Sequence, residues 1–177
     1  MKIHLLIVDP QNDFCGADDG HGNKGTRVVP GADSDMNRLA RMIDRIGAKL
    51  EDISVTLDSH QTIGIERPRW WKHARTGAPP APFTCLGIHP DRRRIVAFAL
   101  GGSAQNKFGM SPTEEEYTTY IPSYAHQGGP TGKGVFGYME ALEAGGNYPH
   151  FVWTEHCIVG TWGWGVVPTL AKSLRSE

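Results

Sequence analysis

From Ile3 to Val8 the chain reads Ile-His-Leu-Leu-Ile-Val, apolar on both faces apart from His4. A continuous apolar run of this length fits an interior strand of a parallel sheet better than a half-exposed antiparallel one. Asp9-Pro10-Gln11-Asn12-Asp13 ends it, because Pro10 lacks an N–H and Asn12 and Asp13 favour turns. Residues 16–31 are Gly-rich and polar and read as a loop, after which Asp33 or Ser34 is placed to cap a helix. Met36, Leu39, Ala40, Ile43, Ile46 and Leu50 then recur at three- and four-residue steps, which predicts an amphipathic helix over about 33–50. A second strand, Ile53 to Leu57, ends at Asp58-Ser59-His60. Strand, helix and strand at this spacing form a βαβ unit with a right-handed crossover.

Residues 61–136 carry most of the Pro and Gly and one short apolar run, Ile95 to Leu100, around which a hairpin is expected. Loops this long are usually functional or disordered. Tyr138 to Ala144 reads as a short helix closed by Gly145-Gly146. His150 to Trp153 reads as a third strand running into Thr154-Glu155-His156-Cys157. Val166 to Leu174 begins another helix, with Pro168 tolerated in its first turn.

The 177 residues leave room for one domain or part of a larger one. A net charge of -1 argues against a protein that coats nucleic acid, which needs a basic excess to displace counterions. Hydrophobic residues at 39% and charged residues at 21% argue against wholesale disorder. No stretch approaches the roughly 20 apolar residues of a membrane helix. The N-terminal apolar run meets Asp9 at once and does not read as a signal peptide. Cys15, Cys85 and Cys157 are too few and too scattered for a disulfide framework. The expectation is an α/β protein of the cytoplasm, with no membrane or nucleic-acid partner.

The chemistry concentrates at strand ends. Asp9 follows the first strand, Asp58 and His60 the second, and His156 the third. In open parallel sheets, ligands bind beyond the carboxyl ends of the strands. Side chains at i and i+2 of an extended segment point the same way, so Asp58 and His60 can reach one ion, and His156 adds a third ligand. One carboxylate and two imidazoles with open positions suit Zn²⁺, Fe²⁺ or Mn²⁺. An Asp-x-His triplet alone is a weak signal; three matched strand ends strengthen it.

Leu6-Ile7-Val8-Asp9-Pro10-Gln11-Asn12-Asp13-Phe14 resembles the opening motif of the isochorismatase-like cysteine hydrolases, the superfamily of nicotinamidases. Leu57-Asp58-Ser59-His60 is similar to the nicotinamidase metal motif, which usually has Trp where Ser59 stands. Trp153-Thr154-Glu155-His156-Cys157-Ile158-Val159-Gly160-Thr161, followed by Val167-Pro168-Thr169-Leu170, resembles a third nicotinamidase segment. There Thr154 replaces the usual Pro and Val167 the usual His. The three motifs occur in family order but cover a small share of the chain. Residues 61–150 are longer than in compact nicotinamidases and resemble the inserts of larger members.

The resemblance implies an isochorismatase-like, Rossmann-like three-layer fold: a parallel sheet with flanking helices in one domain over 1–177, represented by its first three core strands in the order 3-2-1 and an insert at about 61–150. It implies an amidase-type reaction on a small-molecule amide through a thioester. Asp9 would take the thiol proton, and Asp58, His60 and His156 would hold a divalent metal, zinc in the first instance, that positions the substrate's ring nitrogen. Glu66 is the one nearby candidate for a further ligand. The family's catalytic Lys and nucleophilic Cys lie downstream of the third motif, and this chain ends shortly after it, so both are expected to be missing. Cys157 as a nucleophile served by His156 or Asp9 is the competing assignment; its flanking residues match the metal segment instead.

With only three strands, the very apolar first strand would be an open edge, which invites pairing. The chain is therefore expected to be the N-terminal part of a cysteine hydrolase, acting as a homo-oligomer or completed by a second chain. A non-catalytic half-domain that binds metal or a partner is the alternative of a different class.

Elsewhere the plain readings stand. His4 is expected to be a packed core histidine. Trp70, Trp71 and His73 are expected to pack a loop onto the domain. Arg92-Arg93-Arg94 and Glu114-Glu115-Glu116 read as solvated, and His21, His89 and His126 as loop residues. Gly129 to Gly134 lacks the spacing of a phosphate-binding loop.

Overall fold

β1 (His4–Ile7) and β2 (Asp52–Val55) pair in parallel, His4 opposite Asp52 and Ile7 opposite Val55. The structure, a computed structural model, describes residues 2–16, 18–90, 94–100, 110–112, 119–123, 134–146 and 148–175. It falls into two compact units, residues 1–62 with 155–177 and residues 63–154.

In the first unit β1 is followed by the short helix α1 (Asn12–Cys15), the crossover helix α2 (Ala32–Ile46), β2 and α4 (Pro168–Arg175). The strand-helix-strand unit is the one that the hydrophobic spacing predicts. Its helix starts at Ala32 on Gly31, whose φ of 84° suits a residue without a Cβ. The N-cap is Gly31 rather than Asp33 or Ser34, and it brings no side-chain bond. Asp33 lies in the first turn, where a carboxylate favours the positive end of the helix dipole. Ile7, Ala40, Ile43, Val167 and Leu170 form the core where α2 and α4 cover one face of the strands.

The other face of β1 is uncovered among the described residues. Leu6 is 62% exposed and Val8 63%, and β2 is the only strand that β1 pairs with there. Among the described residues the continuous apolar run is therefore paired on one side only. His4 is exposed, not a core histidine, because the two-residue period puts it on the face of Leu6 while Leu5 and Ile7 turn inward.

The second unit is built on an antiparallel sheet of β3 (Trp71–His73), β7 (Thr119–Pro122), β5 (Ile95–Leu100), β4 (Cys85–Ile88) and β8 (His150–Phe151) in that order, with β6 (Met110–Pro112) also on β5. β4 and β5 pair with Cys85 opposite Phe98 and Ile88 opposite Ile95, which places a strand pair at the expected hairpin. The helix expected at Tyr138–Ala144 is α3 (Gly134–Gly145), whose buried Met139 joins Trp71, Leu86, Ile95 and Val152 in the core. Trp71 is buried and its indole N–H donates to Ile65 O, so this tryptophan packs its loop as expected.

The third predicted strand is placed differently. His150–Phe151 pairs antiparallel with β4 instead of joining β1 and β2. The chain meets the parallel pair later, at a single parallel bridge between Ile158 and His60. There His60 N–H donates to Cys157 O, and Val159 N–H donates to His60 O. The 3-2-1 order thus persists as one bridge, while the apolar run that looked like the strand belongs to the other sheet. Arg92, Arg93, Glu114 to Glu116, His126 and most of Gly129 to Gly134 lie outside the described residues. No helix among those described is long and apolar enough to cross a membrane.

Candidate metal centre

The parallel bridge fixes the site. It lays the segment after β2 beside residues 157–159 and brings Asp58, His60 and His156 together. Their ligand atoms all lie within 4.8 Å of one another. His60 Nε2 is 2.9 Å and 3.0 Å from the two Asp58 carboxylate oxygens. His156 Nε2 is 3.3 Å from Asp58 Oδ2. The imidazoles meet nearly edge to face, with ring centres 5.0 Å apart, and Phe14 packs on His156 at 5.6 Å. His156 is buried, whereas the Asp58 and His60 side chains keep about a quarter of their surface, 27% and 26%.

The donor set fits a divalent transition metal. Bonds of 2.0–2.1 Å spread tetrahedrally put ligand atoms roughly 3.3 Å apart. The two imidazoles already stand at or just inside that spacing from the carboxylate. Two nitrogens and one carboxylate would leave room on such an ion for a further ligand.

Asp9 closes β1 with a φ of 50°, a left-handed conformation that few side chains accept. Thr56 holds it there: the hydroxyl donates to Asp9 Oδ1 at 2.7 Å, and the Asp9 N–H donates to Thr56 O at 3.2 Å. Asp9 is not one of the residues in the metal-sized group. Glu66, the candidate fourth ligand, lies in the second unit, where its carboxylate stands 3.2 Å from Arg67 Nε. Cys157 is wholly buried, with a φ of 50° and its N–H bound to Asp13 Oδ2 at 2.7 Å.

Three further residues belong to the frame of the site, and as a sequence they read only as turn formers or spacers. Gln11 is fully buried and binds Asp58 at both backbone groups: its Nε2 donates to Asp58 O, and its Oε1 accepts from Asp58 N–H, each at 2.8 Å. Asp13, also buried, takes N–H groups from Thr26 and Cys157. Trp164 donates its indole N–H to Ser59 Oγ at 2.8 Å. The signal present in the sequence is the run of polar residues directly after an apolar strand, more polar groups than a turn needs.

The sequence matches no known family profile. No curated protein is a significant match. Two solved structures of the yeast nicotinamidase Pnc1p are similar to this chain. One, bound to the inhibitor nicotinaldehyde, has a TM-score of 0.49 at 18% identity over 99% of this chain and 53% of that chain. The other has a TM-score of 0.47 at 17% identity with the same coverage. The chain thus spans about half the length of the solved structures it matches.

Proposed function

We propose that this chain holds the metal- and substrate-positioning part of a nicotinamidase-type cysteine hydrolase, acting on the C–N bond of a small-molecule amide. The observation that carries the reading is the convergence of Asp58, His60 and His156 from separate segments at metal-ligand spacing. The three motifs and their order give the reaction class.

Asp58, His60 and His156 would hold a divalent ion, zinc in the first instance and iron or manganese otherwise, which would supply a Lewis-acid contact to a ring nitrogen of the substrate. The chain's own residues do the rest of what is assigned here. Asp58 and His60 approach from the partly exposed side, and His156 closes the buried side. Asp9, held by Thr56, is the base that takes the proton from a nucleophilic thiol. The thiolate attacks the amide carbonyl, the Asp9 carboxyl returns its proton to the departing ammonia, and water hydrolyses the thioester to the acid and the free thiol.

Equilibrium dialysis against Zn²⁺ tests the reading. The wild-type chain is expected to retain one ion, and the combined Asp58→Ala and His60→Ala variant none. Equal retention by both removes the metal assignment. If the wild type binds zinc and leaves nicotinamide intact, the non-catalytic metal-binding alternative replaces the hydrolase.

A further inference from the structure

The geometry points to Gln11 and Asp13 as positioning residues of the Asp58–His60–His156 group; the inference rests on the metal assignment above and deepens it. Buried polar side chains are often only structural cement. What sets Gln11 apart is the residue it grips. It bonds the N–H and the C=O of Asp58 itself, closing on the ligand's own backbone like a short piece of antiparallel ladder. The Asp58 backbone is thereby fixed, and only its two side-chain torsions are left to aim the carboxylate. The remaining Gln11 proton goes to Trp164 O at 2.9 Å, so both N–H donors and the carbonyl oxygen of this fully buried amide are engaged.

Asp13 acts on the opposite ligand. The N–H it accepts, from Cys157, belongs to the peptide that joins His156 to Cys157. That peptide leads into a residue at φ 50°, a conformation that persists only where its surroundings hold it. The second Asp13 oxygen is occupied by Thr26 N–H at 2.9 Å, so the carboxylate cannot swing away freely.

Both grips come from one stretch whose backbone is locked to the same loop. Asn12 N–H donates to Gly165 O, Asp13 N–H to Gly163 O, and Val167 N–H to Pro10 O. The Asn12 amide adds a bond to Trp162 O. The stretch from Pro10 to Asp13 therefore sets the Asp58 side and the His156 side of the group against each other. Sites of this kind tolerate errors of only about 0.5 Å.

The test uses the full chain with Zn²⁺ and Co²⁺ as probes. Zinc affinity is read by competition with a chelating dye. Ligand geometry is read from the visible absorption of the cobalt form, and stability from urea unfolding without metal. Gln11→Met keeps the volume and removes all three hydrogen bonds. It is expected to weaken zinc about tenfold to a hundredfold, the usual loss when a group supporting a ligand is removed, and to shift the cobalt bands. Asp13→Asn keeps one acceptor oxygen and is expected to shift both in the same direction by less. A purely structural role lowers urea stability but leaves the cobalt spectrum and zinc affinity of the folded variants at wild-type values; that result overturns the inference. If Gln11→Met does not fold, Asp13→Asn decides by the same two readouts. Asp58→Ala separates the layers. Loss of zinc in Asp58→Ala with wild-type binding in the other two defeats only the positioning role. Wild-type binding in Asp58→Ala defeats the metal assignment and this inference together.

Discussion

Buried thiols and buried carboxylates give the sharpest tests at the scale of single residues. Burial pushes the Cys85 thiol up to about 11, and burial followed by the nearby Asp33 raises that of Cys15. Cys157 has no exposed surface. Since the thiolate is the reactive form, iodoacetamide at pH 7 is expected to leave all three unmodified in the folded chain and to label them in urea. Selective labelling of Cys157 in the folded protein would favour the reading in which it is the nucleophile. Gly163 is a second such point. A Cβ there would lie inside contact distance of the Asp13 carboxylate, which cannot yield because its oxygens hold Thr26 and Cys157. Gly163→Ala is expected to cost about 1–3 kcal/mol in urea unfolding, as overpacking does. Asp58 and His60 could be paired from the sequence because two-residue spacing in an extended segment points side chains the same way, whereas His156 reaches them through the Ile158–His60 bridge and not through the expected third strand. Gln11 and Asp13 were not legible there, because a polar residue after a strand looks the same whether it faces water or bonds a distant backbone.

At the scale of elements, the alternation along β1 decides which substitutions matter. Ile7 is buried under α2 and α4, while its neighbour Leu6 is on the uncovered face. Ile7→Ala is expected to destabilise by about 2–5 kcal/mol, and Leu6→Thr to stay within about 0.5 kcal/mol. Chemical denaturation of the two variants checks the register, and the opposite ranking would mean that β1 is shifted by one residue. The strand-helix-strand unit could be read from the sequence because its signals are local: an apolar run, a three-to-four-residue period, then another run. α4 was legible for the same reason, with Pro168 opening its first turn. The partner of His150–Phe151 was not, because a short apolar run says nothing about which sheet it joins. Here its neighbour is β4, far back in the chain. The strands β3, β4 and β7 are three or four residues long and set among Pro and Gly, too short to show a period of their own.

At the scale of the whole molecule, the division into two units matters for how the chain responds to acid. In the second unit, burial holds the His150 imidazole below its ordinary value of 6.5, against the opposing effects of Ile65 O and Glu66. Its Nδ1 faces Tyr138 Oη at 3.2 Å, its Nε2 faces Ile65 O at 3.1 Å, and its ring meets Trp71 edge to face. The unfolded chain therefore binds a proton at this histidine at a higher pH than the folded one. This contribution is complete above about 6.5 and is lost as the pH falls below it. The urea midpoint is expected to drop between pH 7.5 and pH 5.5, and His150→Gln to flatten that slope; an unchanged slope would mean that the imidazole titrates freely. The metal centre belongs to the first unit, and the account stands or falls on it. X-ray absorption at the zinc edge of the zinc-loaded chain tests it most directly. The account predicts one zinc per chain with two imidazole nitrogens and carboxylate oxygen at about 2.0–2.1 Å, the imidazole signal falling by half in His156→Ala. A sphere of sulfur, or of oxygen alone, or one that His156→Ala leaves unchanged, would contradict it.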